Sequence, residues 1–254
     1  MRLIKTTGML VVLGLVVMFT GCVKNPNPVH PMDPYEKYNR RIFVINTAID
    51  RGIVQPVALL YHFMLPPPIR AGVKNIFANV KETNSLVNHL LQGNIKGSLI
   101  NANRLIINTV FGIGGLFDVA SRLGLHPLRT SFDETLGVWG ARPKYYLMLP
   151  IFGPTTDRGA VGVVIDAVPL DPYSYLDNWY LSFGLVAGNY VQLRESGLAA
   201  GKMMYDSFDP YVFMRDAYFQ SMKLGTGVSG NVIADEVQST GDARTDDGFE
   251  YVLD

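Results

Sequence analysis

Three polar side chains recur along one side of a predicted helix. Asn101, Arg104 and Asn108 are spaced by three and four residues, and this spacing places them on one helix face. The opposite face carries an apolar series with similar spacing: Ile95, Leu99, Ala102, Ile106 and Val110. Amides and guanidinium groups donate hydrogen bonds, and the guanidinium also attracts anions. A stripe made mostly of amides is unusual for a helix side that faces plain water.

Groups that make or break covalent bonds are scarce in this sequence. The nearest approach to a G-x-S-x-G nucleophile motif, residues 227–230, lacks the strand and helix that the motif requires. The four histidines form neither an H-E-x-x-H motif nor a pair at helical ligand spacing: His30, His62, His89 and His126. We therefore expect no catalytic residue, no metal site and no cofactor.

Two further patterns match catalytic or cofactor sites only in part. Residues 111–118 (FGIGGLFD) fail the G-x-G-x-x-G template at its last glycine and follow a helix rather than a strand. The neighbouring carboxylates Asp133 and Glu134, like Asp166 and Asp171, offer possible acid and base groups. Nothing in the sequence predicts their burial, so we interpret them as solvated loop residues.

The only cysteine, Cys22, stands at the end of an apolar run near the N-terminus. Arg2 and Lys5 precede the apolar residues 8–19, as in an export signal. The small residues 20–21 (TG) just before the cysteine resemble the lipobox of bacterial lipoproteins. This resemblance implies that Cys22 becomes the acylated first residue of the mature protein.

An uncleaved membrane helix is the alternative for this segment. Residues 6–23 form a stretch of 18 uncharged positions, which is about the lower limit for crossing a bilayer core. In bacterial lipoproteins the inner-membrane retention signal is usually Asp after the cysteine, whereas this chain has Val23. The resemblance therefore implies the outer membrane of a Gram-negative cell.

Composition indicates one apolar domain between polar ends. Hydrophobic residues make up 48% of the chain and charged residues 17%, against about 25% charged residues in an average soluble domain. Something besides water is therefore expected to touch its surface. The balance of 22 basic and 22 acidic residues predicts no nucleic-acid partner. We divide the chain into a signal peptide (1–21), a Pro- and Asn-rich tether (22–34), a helical domain (35–225) and a polar, disordered tail (226–254).

The first helix of the domain is predicted from its start signal and its period. Asp33 is placed to cap the helix, and Pro34 falls in its first turn. An apolar face follows, and Gly52 is the expected stop. Between Arg51 and Arg70 the chain carries no formal charge but contains four prolines. These make a straight transmembrane helix unfavourable, so we expect a short helix lying in one leaflet or a buried core helix.

Helical periodicity continues through the rest of the domain. Residues 69–91 are amphipathic and end at Gly93, and a strong helical pattern begins at Trp179. The last predicted helix opens at Asp209 and closes at Gly225. Alternation typical of strands is weak everywhere. The sequence therefore predicts a mainly α single domain of short amphipathic helices.

Six motifs resemble, in order, those of the MlaA family, also called VacJ. They are DPYEKYNRRIF (33–43), QPVA (55–58), NHLLQG (88–93), NTVFGIGGLFDVA (108–120), ETLGVWG (134–140) and LPIFGPTTDR (149–158). The resemblance implies an outer-membrane lipoprotein that removes mislocalised phospholipid from the outer leaflet. It also implies a membrane-embedded helical ring with a central channel, associated with a trimeric porin and delivering lipid to the periplasmic carrier MlaC.

Under this resemblance the polar stripe gains a role. We expect Asn101, Arg104 and Asn108 to face the channel, with Arg104 as a partner for lipid phosphate, because a charged headgroup is costly to place in hydrocarbon. The alternative is that these side chains hydrogen-bond neighbouring helices.

The glycine-rich turn that follows is predicted to form the channel mouth. Gly112, Gly114 and Gly115 permit unusual dihedrals, Phe117 re-enters apolar surroundings, and Asp118 caps the next helix. A helix C-cap followed by a tight turn explains the glycines equally well.

Two other functions stay open beside lipid transport. A structural lipoprotein that grips another outer-membrane protein, without a working channel, would look alike in sequence. A lipid-degrading enzyme would need a nucleophile, and the sequence search finds none.

Overall fold

A computed structural model describes residues 30–223 of the 254-residue chain. The signal peptide, Cys22, most of the tether, the predicted stop at Gly225 and the tail lie outside the described residues. The described part is mainly α-helical, which confirms the predicted fold class.

Ten α-helices and one two-stranded sheet make up the described part. The helices are α1 (Glu36–Ile49), α2 (Gln55–Met64), α3 (Pro67–Leu91), α4 (Ile95–Val110), α5 (Val119–Arg122), α6 (Phe132–Val138), α7 (Asp157–Ala167), α8 (Trp179–Ser196), α9 (Leu198–Tyr205) and α10 (Pro210–Lys223). The strands are β1 (Tyr146–Leu149) and β2 (Gly153–Thr156). A π-helical turn (Asp50–Val54) joins α1 to α2, and a 3₁₀ turn (Pro172–Tyr175) precedes α8.

The predicted stop at Gly52 is wrong. The π-helical turn carries the helix past this glycine, so that Glu36–Met64 is one continuous 29-residue helix. The Gln55 amide donates to the carbonyl of Asp50, a five-residue step. Pro56 follows directly after the π-helical turn, at the second residue of α2. Within residues 30–223 this is the one helix long and apolar enough to cross a membrane, and 17% of its most apolar window is buried.

Asp33 does not cap α1, contrary to the sequence prediction. Tyr35 occupies the N-cap position without a side-chain hydrogen bond. The Asp33 carboxylate is fully buried and accepts hydrogen bonds from Asn39 (2.8 Å), Tyr211 (2.5 Å) and Arg215 (3.4 Å). Because a buried carboxylate is costly without partners, these three donors tie the end of the predicted tether to α1 and α10.

The β1–β2 hairpin is missing from the sequence prediction. Each strand has four residues, and all four of β1 are buried, so no alternation of apolar and polar residues marks it. The hairpin lies against α1 through two asparagines one heptad apart. Asn39 donates to the carbonyl of Tyr146 (3.1 Å) and accepts from the amide of Met148 (2.9 Å). Asn46 donates to the carbonyl of Leu149 (2.9 Å) and accepts from the amide of Ile151 (2.9 Å).

The compact core sits between α1, the hairpin and the C-terminal helices. Its buried members are Ile42, Phe43, Tyr146, Met148, Met204, Tyr211 and Tyr218. Helix α10 begins where predicted, because Asp209 accepts hydrogen bonds from the amides of Tyr211 (3.1 Å) and Val212 (3.2 Å). The predicted helix at Trp179 is also confirmed.

Helices α3 and α4 form the most extensive helix pair. Gly93, at φ 74°, ends α3, and the Asn94 side chain caps α4 by accepting from the Gly97 amide (2.9 Å). Residues 69–91, with two amphipathic stretches in sequence, form a single helix. The two helices bury polar side chains against each other and expose apolar ones, the reverse of the arrangement in a water-soluble helix pair.

Candidate functional site

The predicted polar stripe lies inside the α3–α4 pair. Asn101, Arg104 and Asn108 are 0%, 3% and 3% exposed. Arg104 donates to Glu82 (2.7 Å), to the hydroxyl of Ser121 (3.0 Å), to the carbonyl of Leu125 and, at 3.4 Å, to Asp118. Its guanidinium is therefore held by protein acceptors from α3, α5 and the following loop.

The two asparagines of the stripe also bond to neighbouring segments. Asn101 donates to the carbonyl of Leu128 (2.8 Å). Asn108 donates to Asp118 (3.1 Å) and accepts from the amide of Ala120 (2.9 Å). These contacts are those of the alternative interpretation, in which the stripe joins neighbouring elements. The channel-facing role stays a prediction, and the Oδ1 atom of Asn101 has no partner within the described residues.

Burial sets the electrostatics of this polar layer, which we define as Glu82, Arg104, Asn108, Asp118 and Ser121. Burial raises the pKa of Glu82, and the Arg104 bond only partly offsets it. Burial would also raise the pKa of Asp118, but two hydrogen bonds from Ser121 and the Arg104 charge outweigh it and hold that pKa below its ordinary value. Hydrogen bonds link all five side chains of the layer into one network.

Two of the three glycines of the glycine-rich turn have the unusual dihedrals that the sequence suggested, and Gly112 does not. Gly114 and Gly115 have φ of 68° and 93°, and Ile113, between Gly112 and Gly114, also has a positive φ of 53°. A Cβ on Gly115 would lie 2.7 Å from the Cβ of Asn79, whereas one on Gly114 would meet open space.

Hydrogen bonds fasten this turn to the end of α4 and to the segment after it. The Gly115 amide donates to the carbonyl of Asn108 (2.8 Å), and the Phe117 amide donates to that of Gly112 (3.0 Å). Asp118 caps α5 as predicted, accepting from the Ser121 amide (3.1 Å). Phe117 is 48% exposed, so it returns to the surface rather than to a core.

Large apolar side chains cover the outside of α1 to α4 and the turn. Members that are at least half exposed include Val44, Ile53, Leu60, Phe63, Met64, Leu99, Ile106, Val110, Phe111 and Ile113. Exposed apolar area on this scale marks a surface that contacts lipid or another protein. Together with the polar layer inside, it gives these helices an apolar exterior and a polar interior.

A cavity of about 230 Å³ lies between α1, the hairpin and the C-terminal helices. Its wall is mostly apolar and includes Phe43, Met148, Ile151, Phe152, Leu193, Ala200, Met204, Phe213 and Met214. The cavity is partly open to the outside. Its mostly apolar lining fits a hydrocarbon chain better than a polar metabolite.

One part of the cavity wall is polar. Arg194 holds Asp50 in a bidentate pair, with Nε and one Nη at 2.7 and 2.9 Å from the two carboxylate oxygens. The Tyr205 hydroxyl donates to the same carboxylate at 2.8 Å. Burial and this bond raise the pKa of Tyr205 to about 12, so the hydroxyl stays protonated at neutral pH. The cavity is therefore amphipathic.

Sequence reasoning missed this cluster. Asp50 and Arg194 are 144 positions apart, and Tyr205 is 155 positions from Asp50, so no spacing rule connects them. One signal was available, since Asp50 is the last acidic residue before a long charge-free stretch. Among residues 30–223 no group of three His, Cys, Asp or Glu could hold a metal ion.

Comparison with protein families finds a match over nearly all of the described part. A model of the family described as MlaA lipoprotein matches residues 31–224. The MlaA lipoprotein of the intermembrane phospholipid transport system of Haemophilus influenzae is 34% identical over 230 residues, 87% of this chain and 90% of that protein. Its Escherichia coli counterpart is 33% identical over 192 residues, 74% and 76% of the two chains.

A Rickettsia prowazekii protein of uncharacterized function is 38% identical over 190 residues, 73% of this chain and 74% of that one. A solved structure also shares the fold. It is described as a structural basis for maintenance of bacterial outer membrane lipid asymmetry, with a TM-score of 0.64 and 33% identity. The match covers 80% of this chain and 98% of that chain.

Proposed function

This chain belongs to the MlaA lipoprotein family, and from that premise we propose that it removes mislocalised phospholipid from the outer leaflet of the outer membrane. The lipid passes inward to a periplasmic carrier and is not changed covalently. Relatives carry the name of an intermembrane phospholipid transport lipoprotein. Retrograde transport by this chain would maintain the lipid asymmetry of the outer membrane.

The observation that carries this proposal is the amphipathic cavity within a helical body whose outer surface is apolar. A body embedded in a leaflet needs an apolar exterior, because unpaired polar groups are costly in hydrocarbon. A phospholipid in transit needs an apolar place for its chains and a polar place for its headgroup. The wall of the cavity offers both, through side chains such as Phe213 and the pair of Asp50 with Arg194.

Membrane attachment and partners complete the proposal. Cys22 is the lipid-bearing residue, and the helices form a ring in the periplasmic leaflet around a channel of which the cavity is part. The exposed apolar faces of α1 and α2 suit a trimeric porin as well as lipid, and MlaC is the periplasmic acceptor. The turn from Gly112 to Asp118 lies beside the polar layer and is proposed to line the mouth of the channel.

The test is the amount of phospholipid in the outer leaflet of cells that lack this protein. We expect this amount to rise and to return to normal with the wild-type gene, but not with Cys22→Ala expressed at the same level. An unchanged outer leaflet in the deletion would contradict transport. It would favour the scaffold that grips another membrane protein.

A further inference from the structure

The geometry points to Arg51, stacked on the Tyr205 ring, as the binding site for the phosphate group of a phospholipid at the polar edge of the cavity. This inference rests on the proposed function, since it names the place where the transported lipid is held by its headgroup. It assigns one chain of the lipid to the apolar cavity and its phosphodiester to the Arg51 guanidinium.

Arg51 lies next to the cavity through Tyr205. Its guanidinium carbon is 4.0 Å from the centroid of the Tyr205 ring, and Tyr205 is part of the cavity wall. A guanidinium stacked on an aromatic face is held by the ring while its N–H groups point outward along its edge. The Arg51 side chain is exposed, and within residues 30–223 no hydrogen bond or ion pair occupies it.

The other charges beside the cavity neutralise one another. Arg194 and Asp50 form a bidentate pair, and the Tyr205 hydroxyl fills a further position on the same carboxylate. Arg51 is therefore the uncompensated positive charge of the cluster. A phosphodiester carries a single negative charge and presents two oxygens, which matches the fork of N–H donors on a guanidinium.

The backbone gives a second reason to place a ligand here. Asp50 and Arg51 open the π-helical turn that joins α1 to α2. Short π-helical turns inside α-helices are frequently found at functional sites. In this turn Asp50 reaches Arg194 across the cavity wall while the next residue stacks on Tyr205.

The phosphate could belong to a lipid or to a small soluble phosphate, and binding to three probes separates the two. The probes are dihexanoyl phosphatidylglycerol, the matching dihexanoylglycerol without phosphate, and glycerol phosphate without chains. Binding is measured to the purified full-length lipoprotein in nonionic detergent. The variants are Arg51→Gln, Arg51→Lys, the exposed control Arg41→Gln on α1, and Ala200→Phe, which fills the cavity.

Arg51→Gln is expected to weaken phosphatidylglycerol binding about tenfold, since a hydrogen bond to a charged group contributes about that factor. Its binding of dihexanoylglycerol should not change, which a merely structural role of Arg51 would not predict. Arg51→Lys keeps the positive charge but loses the stacked fork of donors, so its affinity should fall between those of Arg51→Gln and the wild type. Arg41→Gln should keep the full affinity. Ala200→Phe should weaken binding of both lipids.

Three results would overturn the inference. Wild-type phosphatidylglycerol binding by Arg51→Gln, with loss in Ala200→Phe, would reject the phosphate site but leave the cavity as the lipid route. Glycerol phosphate binding as tight as that of phosphatidylglycerol would identify a site for soluble phosphate instead. Wild-type lipid binding by Ala200→Phe would reject the cavity itself, and with it the geometric basis of the proposed function.

Discussion

Two arginines of this chain each pair with a carboxylate, but their surroundings differ. Arg104 and Glu82 have side chains 3% and 5% exposed, and acceptors from three segments surround the guanidinium. Arg194 and Asp50 are 15% and 18% exposed and border a cavity. The first pair is enclosed by protein groups, whereas the second lies beside a cavity that is large enough for part of a ligand.

The comparison separates polar groups that hold the fold together from polar groups that border the proposed lipid cavity. In the polar layer the buried side chains hold α3, α4 and α5 together while apolar side chains face outward. Around the cavity the order is reversed, and an apolar wall carries one polar edge. A residue type alone, such as arginine, does not say which of the two roles it has.

Removing one partner from the polar layer should have the largest effect. Arg104→Met leaves Glu82 buried without its counter-ion, and such a loss costs about 3–5 kcal/mol of unfolding free energy. The measurement is the urea midpoint of the detergent-solubilised protein, followed by circular dichroism. An unchanged midpoint with lost lipid transport would instead assign Arg104 to the headgroup.

The double variant Glu82→Met with Arg104→Met sharpens this result. Replacing a buried ion pair by apolar side chains of similar volume is often neutral, so we expect most of the stability to return. If this folded double variant transports lipid normally, Arg104 has no channel role. If it folds but fails to transport, the predicted contact with lipid phosphate is supported.

In the glycine turn beside the polar layer, an alanine substitution should reduce stability more at Gly115 than at Gly114. Gly115→Ala combines a positive φ with a Cβ that meets Asn79, and we expect a loss of about 2–3 kcal/mol. Gly114→Ala has a positive φ but open space, so about 1 kcal/mol is expected. Equal stability of both variants, with reduced transport, would favour a mobile channel mouth.

The smallest expected effect is the contribution of Asp118 to the loss of stability in acid. Because the folded protein holds the pKa of Asp118 below its ordinary value, the unfolded chain takes up the proton first as the pH falls. The contribution of Asp118 to stability is therefore full above the ordinary carboxyl pKa of 3.8 and is lost as the pH falls through the lower folded value.

Asp118→Asn should lose less stability than wild type between pH 5 and pH 3, about the range in which exposed aspartates titrate. Urea midpoints at each pH measure the difference. Glu82 behaves in the opposite way, because burial raises its pKa in the folded protein. Its contribution to stability is full below its ordinary pKa and is lost as the pH rises through the raised, folded-state pKa. Parallel pH profiles of the variant and the wild type would contradict the assignment to Asp118.

Sequence reasoning located most helices because their start and stop signals are local. Gly93 marks the end of α3, and Asp209 marks the start of α10. The stop predicted at Gly52 was wrong, because a π-helical turn continues the helix past this glycine and the proline that follows it. Sequence reasoning also missed the hairpin, whose short buried strands lack alternation.

The candidate site was less accessible to sequence reasoning. Periodicity correctly grouped Asn101, Arg104 and Asn108 on one helix face, but it cannot say whether a polar face meets a ligand or another helix. The cavity cluster depends on contacts between α1 and the C-terminal helices, far apart in the chain. Such long-range contacts leave no local pattern in the sequence.

The central claim is that the cavity holds phospholipid in transit. Its most direct test is the amount of surface phospholipid in deletion cells that carry Ala200→Phe or Ala199→Phe at equal protein levels. Ala200 lines the cavity, whereas its neighbour Ala199 is exposed on the same helix. We predict that Ala199→Phe restores the normal outer leaflet and Ala200→Phe does not; full restoration by both variants would contradict the claim.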